Sequence, residues 1–290
     1  MGALLTGPPA GGSRCGQSAS ERSHEPSVLS GDPLHSLPVP LASPYAAVWT
    51  EPFRIRAYEA GPDERVSVLA VLNLFQEAAG EQARAHDLDV FDLPAGPATW
   101  VLQRLRLVVC GPLPRLRDAV TVDTWPSDRD GLRAHRDFVL RDAAGVALVR
   151  ATSVWFLLDV ARRRPVRLPP AMDAFLPPPD VPRGLTLDGE PPPVAPAEAS
   201  RTERFAVRHA DLDRVGHANH ARIAEWTLEA VPANVRAASR LAGLDVVFNS
   251  EATVGQAVTS ACGPDARAGS LAHHVSRDGH TVAVARSLWI

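Results

Sequence analysis

Apolar residues recur along this chain with two different periods. Val71, Leu74, Phe75 and Ala78 follow the i, i+3, i+4, i+7 spacing of one helix face, and Ile223, Trp226 and Ala230 repeat it later. After each helical stretch the period shortens towards two. Val120, Val122 and Thr124 alternate with Thr121, Asp123 and Trp125, and the runs Ala147–Phe156 and Leu244–Glu251 read as strands. Asp278-Gly279, set between His274-Val275 and Thr281-Val282, predicts a tight hairpin turn. A helix followed by hairpin-connected strands predicts an antiparallel sheet packed on that helix, an α+β fold.

The pattern occurs twice. Phe53-Arg-Ile-Arg56 reappears as Phe205-Ala-Val-Arg208, and at the same offset Gln76-Glu77-Ala78-Ala79 becomes Leu228-Glu229-Ala230-Val231. With gaps, Ala151-Thr-Ser-Val-Trp-Phe156 returns as Ala285-Arg-Ser-Leu-Trp-Ile290. A tandem repeat of one supersecondary unit accounts for all three. Proline marks the boundaries: the 27 prolines cluster rather than spread. Residues 1–47 carry no period and read as a low-complexity tail, with no apolar stretch long enough for a signal peptide. Residues 48–170 form the first half. Residues 171–200, with Pro177-Pro178-Pro179 and Pro191-Pro192-Pro193, read as an extended linker, and residues 201–290 form the second half.

Composition narrows the function. Across 290 residues the formal net charge is -3 and 45% of residues are hydrophobic, which suits a packed globule and excludes bulk nucleic-acid binding. No apolar run reaches the roughly 20 residues of a membrane helix. Cys15, Cys110 and Cys262 show neither metal nor disulfide spacing, so a reducing, cytoplasmic setting without metal or organic cofactor is expected. There is no lysine: all 30 basic residues are arginine, a usage that matches GC-rich coding better than function.

The densest polar cluster is Asp211-Leu-Asp213-Arg-Val-Gly216-His217-Ala-Asn219-His220, directly before the second helix. A helix start offers unpaired N–H groups and partial positive charge, suited to an oxyanion. Gly216 allows close backbone approach there, Asp213 could activate water or attack an acyl carbon, and His217 could donate to developing charge. The plain alternative is that one of Asp211, Asp213 and Asn219 caps the helix. At the matching offset the first half has Glu64 for Gly216 and Arg65 for His217, so one half keeps the candidate site. Glu251 is the second candidate, against an ordinary exposed strand carboxylate. Arg162-Arg163-Arg164 reads as a solvated turn or as a docking patch for an acidic partner. Trp100, Trp125, Trp155, Trp226 and Trp289 read as core.

In this order the residues resemble the acyl-acyl carrier protein (acyl-ACP) thioesterases of plant plastids and bacteria. The resemblance runs through Trp100–Arg106, Val120–Trp125, Arg136-Asp137-Phe138, Arg150–Trp155, Arg162-Arg163, Leu168-Pro169, Asp211-Leu-Asp213, Gly216-His217, Asn219, Trp226 and Leu228-Glu229. It implies a double (tandem) hotdog, each half a long central helix wrapped by a curled antiparallel sheet. It further implies an acyl tunnel shaped by the first half and hydrolysis of fatty acyl-ACP in the second. The family's Asp-x-Asn-x-His run and later glutamate fall on Asp213, His217 and Glu251. Val215 stands in place of the asparagine, leaving Asn219 to take over any amide role, and Ala252 replaces the cysteine that often follows the glutamate. Asp213-Arg-Val-Gly216 is also similar to the Asp-x-x-Gly pattern of acyl-CoA hotdog thioesterases. Three readings therefore stand: acyl-ACP hydrolysis, acyl-CoA hydrolysis, and non-catalytic acyl binding. The implied partner is acyl carrier protein, with the chain a monomer or homodimer.

Overall fold

The computed structural model describes residues 47–86, 98–168, 170, 172, 176–177 and 179–290. All but the last residue of the expected tail lies outside the described residues. The first half comprises β1 (Trp49–Arg54), α1 (Val68–Ala85), β2 (Ala98–Val109), β3 (Ala119–Asp130), β4 (Arg133–Asp142), β5 (Ala147–Asp159) and the short β6 (Arg164–Val166). The second comprises β7 (Arg201–Ala206), α2 (His220–Glu229), α3 (Ala233–Ala238), β8 (Leu241–Phe248), β9 (Ala257–Pro264), β10 (Ser270–Arg277) and β11 (His280–Trp289).

The strands form one continuous sheet in the order β1-β3-β4-β5-β2-β8-β11-β10-β9-β7, with β6 on β5. The second half thus repeats the first in reverse about the β2–β8 pair, where Leu105 meets Val246 and Leu107 meets Leu244 antiparallel. This is a tandem hotdog in which the halves share hydrogen bonds rather than merely abutting. The helical period holds: Val71, Leu74, Phe75 and Ala78 of α1 and Ile223 and Trp226 of α2 are buried in one core with Leu105, Leu107, Leu244 and Val246. Phe75 stacks on Phe138 with ring centroids 4.8 Å apart. Asp278 and Gly279 both have positive φ (48° and 79°), as a two-residue hairpin turn requires.

The expected pair of long helices is only half present. α1 runs 18 residues but α2 only 10. Pro232 has no N–H to continue α2 and adopts φ -58°, ψ 140°, so the chain restarts as the short α3.

The proline-rich segment is strapped to the sheet. The alternation of β2 turns Leu105 and Leu107 into the core and Arg104 and Arg106 outwards. Arg104 makes two hydrogen bonds to Asp245 of β8 (2.9 and 2.7 Å), closing the seam on its outer side. Over it lies the linker: Glu190 takes Arg106 and Arg267, each at 2.9 Å. Upstream, the fully buried Asp137 accepts from Ser127, Thr152, Arg183 and the backbone N–H of Gly184. Downstream, a Cβ on Gly263 would stand 2.1 Å from the carbonyl oxygen of Glu198, so only glycine lets the strap reach β9. Among the described residues, no helix is long and apolar enough to cross a membrane.

Candidate active site

The polar cluster folds as a closed loop ahead of α2. A 3-10 turn, His209–Asp211, opens it: Asp211 is buried and accepts from the backbone and guanidinium of Arg208, contacts that hold its carboxyl below the usual range although burial opposes them. Asp211 is therefore structural. The loop closes through Asp213 N–H to the His217 carbonyl (2.7 Å) and Asn219 N–H to the Asp211 carbonyl (2.8 Å). Gly216 turns the chain with φ 82°.

Asp213 organises what lies between. Its Oδ1 accepts the N–H groups of Val215 (2.9 Å) and His217 (3.2 Å), and its backbone carbonyl accepts that of Gly216 (3.1 Å). This corrects the expected oxyanion site: the N–H groups of Gly216 and His217 are already taken, and the helix begins later, at His220. Among the described residues Oδ2 of Asp213 takes no hydrogen bond.

Asn219 is the α2 cap. Its Oδ1 accepts from Ala221 N–H (2.8 Å), and its Nδ2 donates to Gln76 of α1 (3.1 Å). One donor and one acceptor of the amide are engaged in this way, which leaves a second N–H on Nδ2. The amide thus fixes the start of α2 to the helix of the other half.

Glu251 was expected on a strand, yet β8 ends at Phe248 and Glu251 lies in the following loop. That loop is pinned to the first by Ala218 N–H to the Ala252 carbonyl (2.8 Å). Here His217 Nε2 lies 3.4 Å from Glu251 Oε2, the glutamate exposed and the histidine partly so. The structure thus brings together Asp213, His217 and Glu251, separated by up to 38 positions in the chain.

Residues 162–164 are all exposed, and two of the three guanidinium groups have an acidic neighbour. Arg162 is bound to Asp159 (2.8 Å) and Arg163 Nη2 lies 3.3 Å from Glu251 Oε1; Arg164 is in β6. The β5–β6 turn of the first half therefore reaches the second-half site.

His220, the first residue of α2, stands edge-on to Trp155 of β5 (5.7 Å) and Phe248 of β8 (6.3 Å). Burial pulls its imidazole down to about 4, so it is neutral at physiological pH. Trp155 thus packs against the first residue of α2 as well as on the core. Sequence reading missed Gln76, Trp155 and His220 in this setting; His220 lay in the cluster, but nothing local marks its aromatic partners. Among the described residues no cluster of three or more His, Cys, Asp or Glu side chains could hold a metal ion.

The chain's likenesses agree with this layout. The family model described as acyl-ACP thioesterase N-terminal domain matches residues 46–175, and that described as acyl-ACP thioesterase C-terminal domain matches residues 194–290. A chloroplastic dodecanoyl-[acyl-carrier-protein] hydrolase of Cinnamomum camphora is 26% identical over 262 residues, covering 85% of this chain and 68% of that protein. A chloroplastic palmitoyl-acyl carrier protein thioesterase of Arabidopsis thaliana is 28% identical, covering 83% and 64%. Among solved structures, the 12:0-ACP thioesterase of Umbellularia californica superposes with TM-score 0.76 at 25% identity, over 86% of this chain and 99% of that one. An acyl-ACP thioesterase from Bacteroides thetaiotaomicron shares the fold (TM-score 0.75, 20% identity, 84% and 98% covered).

Proposed function

The chain belongs to the acyl-ACP thioesterase family and is a thioester hydrolase, and from that premise we propose how its second half cleaves a fatty acyl thioester carried on acyl carrier protein. The observation that carries the mechanism is the closure of two loops that sets His217 against Glu251 beside Asp213.

Asp213 is held through Oδ1 and leaves Oδ2 to take a proton from water. The water oxygen attacks the acyl carbon, the carbonyl oxygen carries the developing charge, and collapse breaks the carbon–sulfur bond. The proton passes to the leaving thiolate through His217, which Glu251 holds in place. Free fatty acid and the carrier's thiol are the products, with no net proton or electron unaccounted for. Because the sheet already pairs both halves within one chain, the site needs no second copy. Cys110 and Cys262 are free thiols, which supports a reducing compartment; the two relatives described above are chloroplastic.

The test is thiol release from acyl-ACP and from matched acyl-CoA. Asp213→Asn retains an oxygen for both loop N–H groups but cannot take a proton. Turnover should fall about 10²- to 10⁴-fold with an unchanged melting temperature. Full turnover in that variant removes Asp213 from the chemistry. Preference for acyl-CoA removes the carrier as substrate, and binding without hydrolysis removes the reaction.

A further inference from the structure

We propose that Arg163 is a positioning residue which the first half supplies to the second-half site, locking Glu251 in the orientation that faces His217. The inference rests on the mechanism above and deepens it.

Glu251 is held at three points. Arg277 Nε donates to its backbone carbonyl (2.8 Å), Oε2 faces His217 Nε2 (3.4 Å), and Oε1 faces Arg163 Nη2 (3.3 Å). The side chain is 40% exposed and His217 38%. A solvent-facing pair of this kind contributes about 0–1 kcal/mol and does not by itself hold a flexible glutamate in one rotamer. The Arg163 guanidinium is itself 74% exposed and adds a contribution of the same size, but with both oxygens directed, rotation about the terminal bonds breaks two contacts at once.

The turn that presents Arg163 is itself staked down. Asp159 accepts both the backbone N–H and the guanidinium of Arg162, at 2.8 Å each, and β6 returns along β5 in register. Arg163 sits at the end of this turn with φ 51°, the left-handed conformation that closes the β5–β6 hairpin. Eighty-eight residues separate it from Glu251 in the chain. An arginine serving only as a docking charge would need no such aim.

Three variants of the full-length chain decide the matter: Arg163→Gln, Arg163→Lys and Arg163→Gln combined with Glu251→Gln. Each is assayed on acyl-ACP and on a small acyl thioester of N-acetylcysteamine. Arg163→Gln should lower kcat about two- to fivefold on both substrates with KM little changed. Arg163→Lys should restore most of the loss, and adding Arg163→Gln to Glu251→Gln should cost nothing further. About 1 M salt should slow the parent chain and not Arg163→Gln, since an exposed pair is screened. A rise in KM for acyl-ACP alone, with the small thioester spared, would overturn the proposal and make Arg163 a carrier-docking residue; unchanged kinetics would overturn it too. A parent chain inactive on both substrates refutes the proposed mechanism rather than this inference. In that case the ring ¹⁵N signals of His217 still decide: they should move in Arg163→Gln as they do in Glu251→Gln, and unmoved signals overturn it.

Discussion

The loop before α1 and the loop before α2 are built to the same plan. In each, an arginine and an acidic residue three positions on make the same capping box: Arg56 with Glu59, Arg208 with Asp211. Gly61 N–H bonds the Arg65 carbonyl as Asp213 N–H bonds that of His217, and Ser67 N–H bonds the Glu59 carbonyl as Asn219 N–H bonds that of Asp211. Glu64 and Gly216 both turn through positive φ, and Val66 and Ala218 each tie their loop to a second one, at Pro114 and Ala252. Only the side chains differ. Where the second half carries Asp213, His217 and Glu251, the first carries Gly61, Arg65 and Leu113, and Arg65 spends its guanidinium on the Leu113 carbonyl. The backbone plan is thus a scaffold for closing two loops, and the chemistry proposed above is three substitutions laid on it.

The largest effect should come from exchanging residues between the plans. His217→Arg places the first half's residue in the second and should lower kcat at least about 100-fold in the thiol-release assay. Arg65→His, the reverse exchange, should leave kcat within about twofold. Equal losses from the two would erase the distinction between the halves.

The next test strikes the strap. Asp137→Ala removes a fully buried carboxylate and strands the donors that converge on it, Arg183 among them. A loss of about 3–5 kcal/mol is expected in denaturant unfolding. Gly263→Ala drives a methyl group into the Glu198 carbonyl and should cost about 1–3 kcal/mol, read as a lowered melting temperature. Gly216→Ala meets no neighbour and is strained only through its positive φ, so it should cost less.

The last comparison concerns pH. Phe138 pairs with Thr124 across β3–β4, and the matching place opposite Cys262 on β9–β10 holds His273, fully buried with Nε2 2.6 Å from Ser287 Oγ. Burial pulls His273 and His220 to about 4, below the 6.5 of an unfolded histidine. The unfolded chain therefore binds protons first. The stability these groups contribute is complete above about pH 6.5 and is lost as pH falls towards 4. Melting temperature should drop across that window, and His273→Leu should flatten the drop. His135 and His274 are pulled the same way by burial, so some slope should persist.

Much of this fold was legible in advance because it depends on local periods: the buried face of α1, the alternation of β3 and the Asp278-Gly279 turn each declare themselves within a few residues. The repeat was legible because it survives as Phe53 against Phe205 and Trp155 against Trp289, and both tryptophans still bond a serine two residues earlier at 2.8 Å. Asp213 and His217 stood out by their density before a helix. What failed was whatever depends on loop closure or distant contact. Nothing near Gly216 announces that Asp213 has taken the N–H groups, and Gln76 and Arg163 reach the site across 143 and 88 residues. The strap was legible as extended chain but not as attached, because its partners lie on strands far from it in sequence.

The β2–β8 pairing sets a rule for recombination. A chimera joining the first half of one such protein to the second half of another inherits a seam as well as a junction. Its β2 and β8 must share register, keep leucine opposite leucine and valine on one face, and retain the Arg104–Asp245 bridge on the other. Crossovers within the linker separate Glu190 from Arg106 or Arg267, which lie on opposite sides of it in the chain. Productive hybrids should therefore inherit β2, the strap, β8 and the stretch from Gly263 to Arg267 together, with variation confined to the other strands and the pre-helix loops.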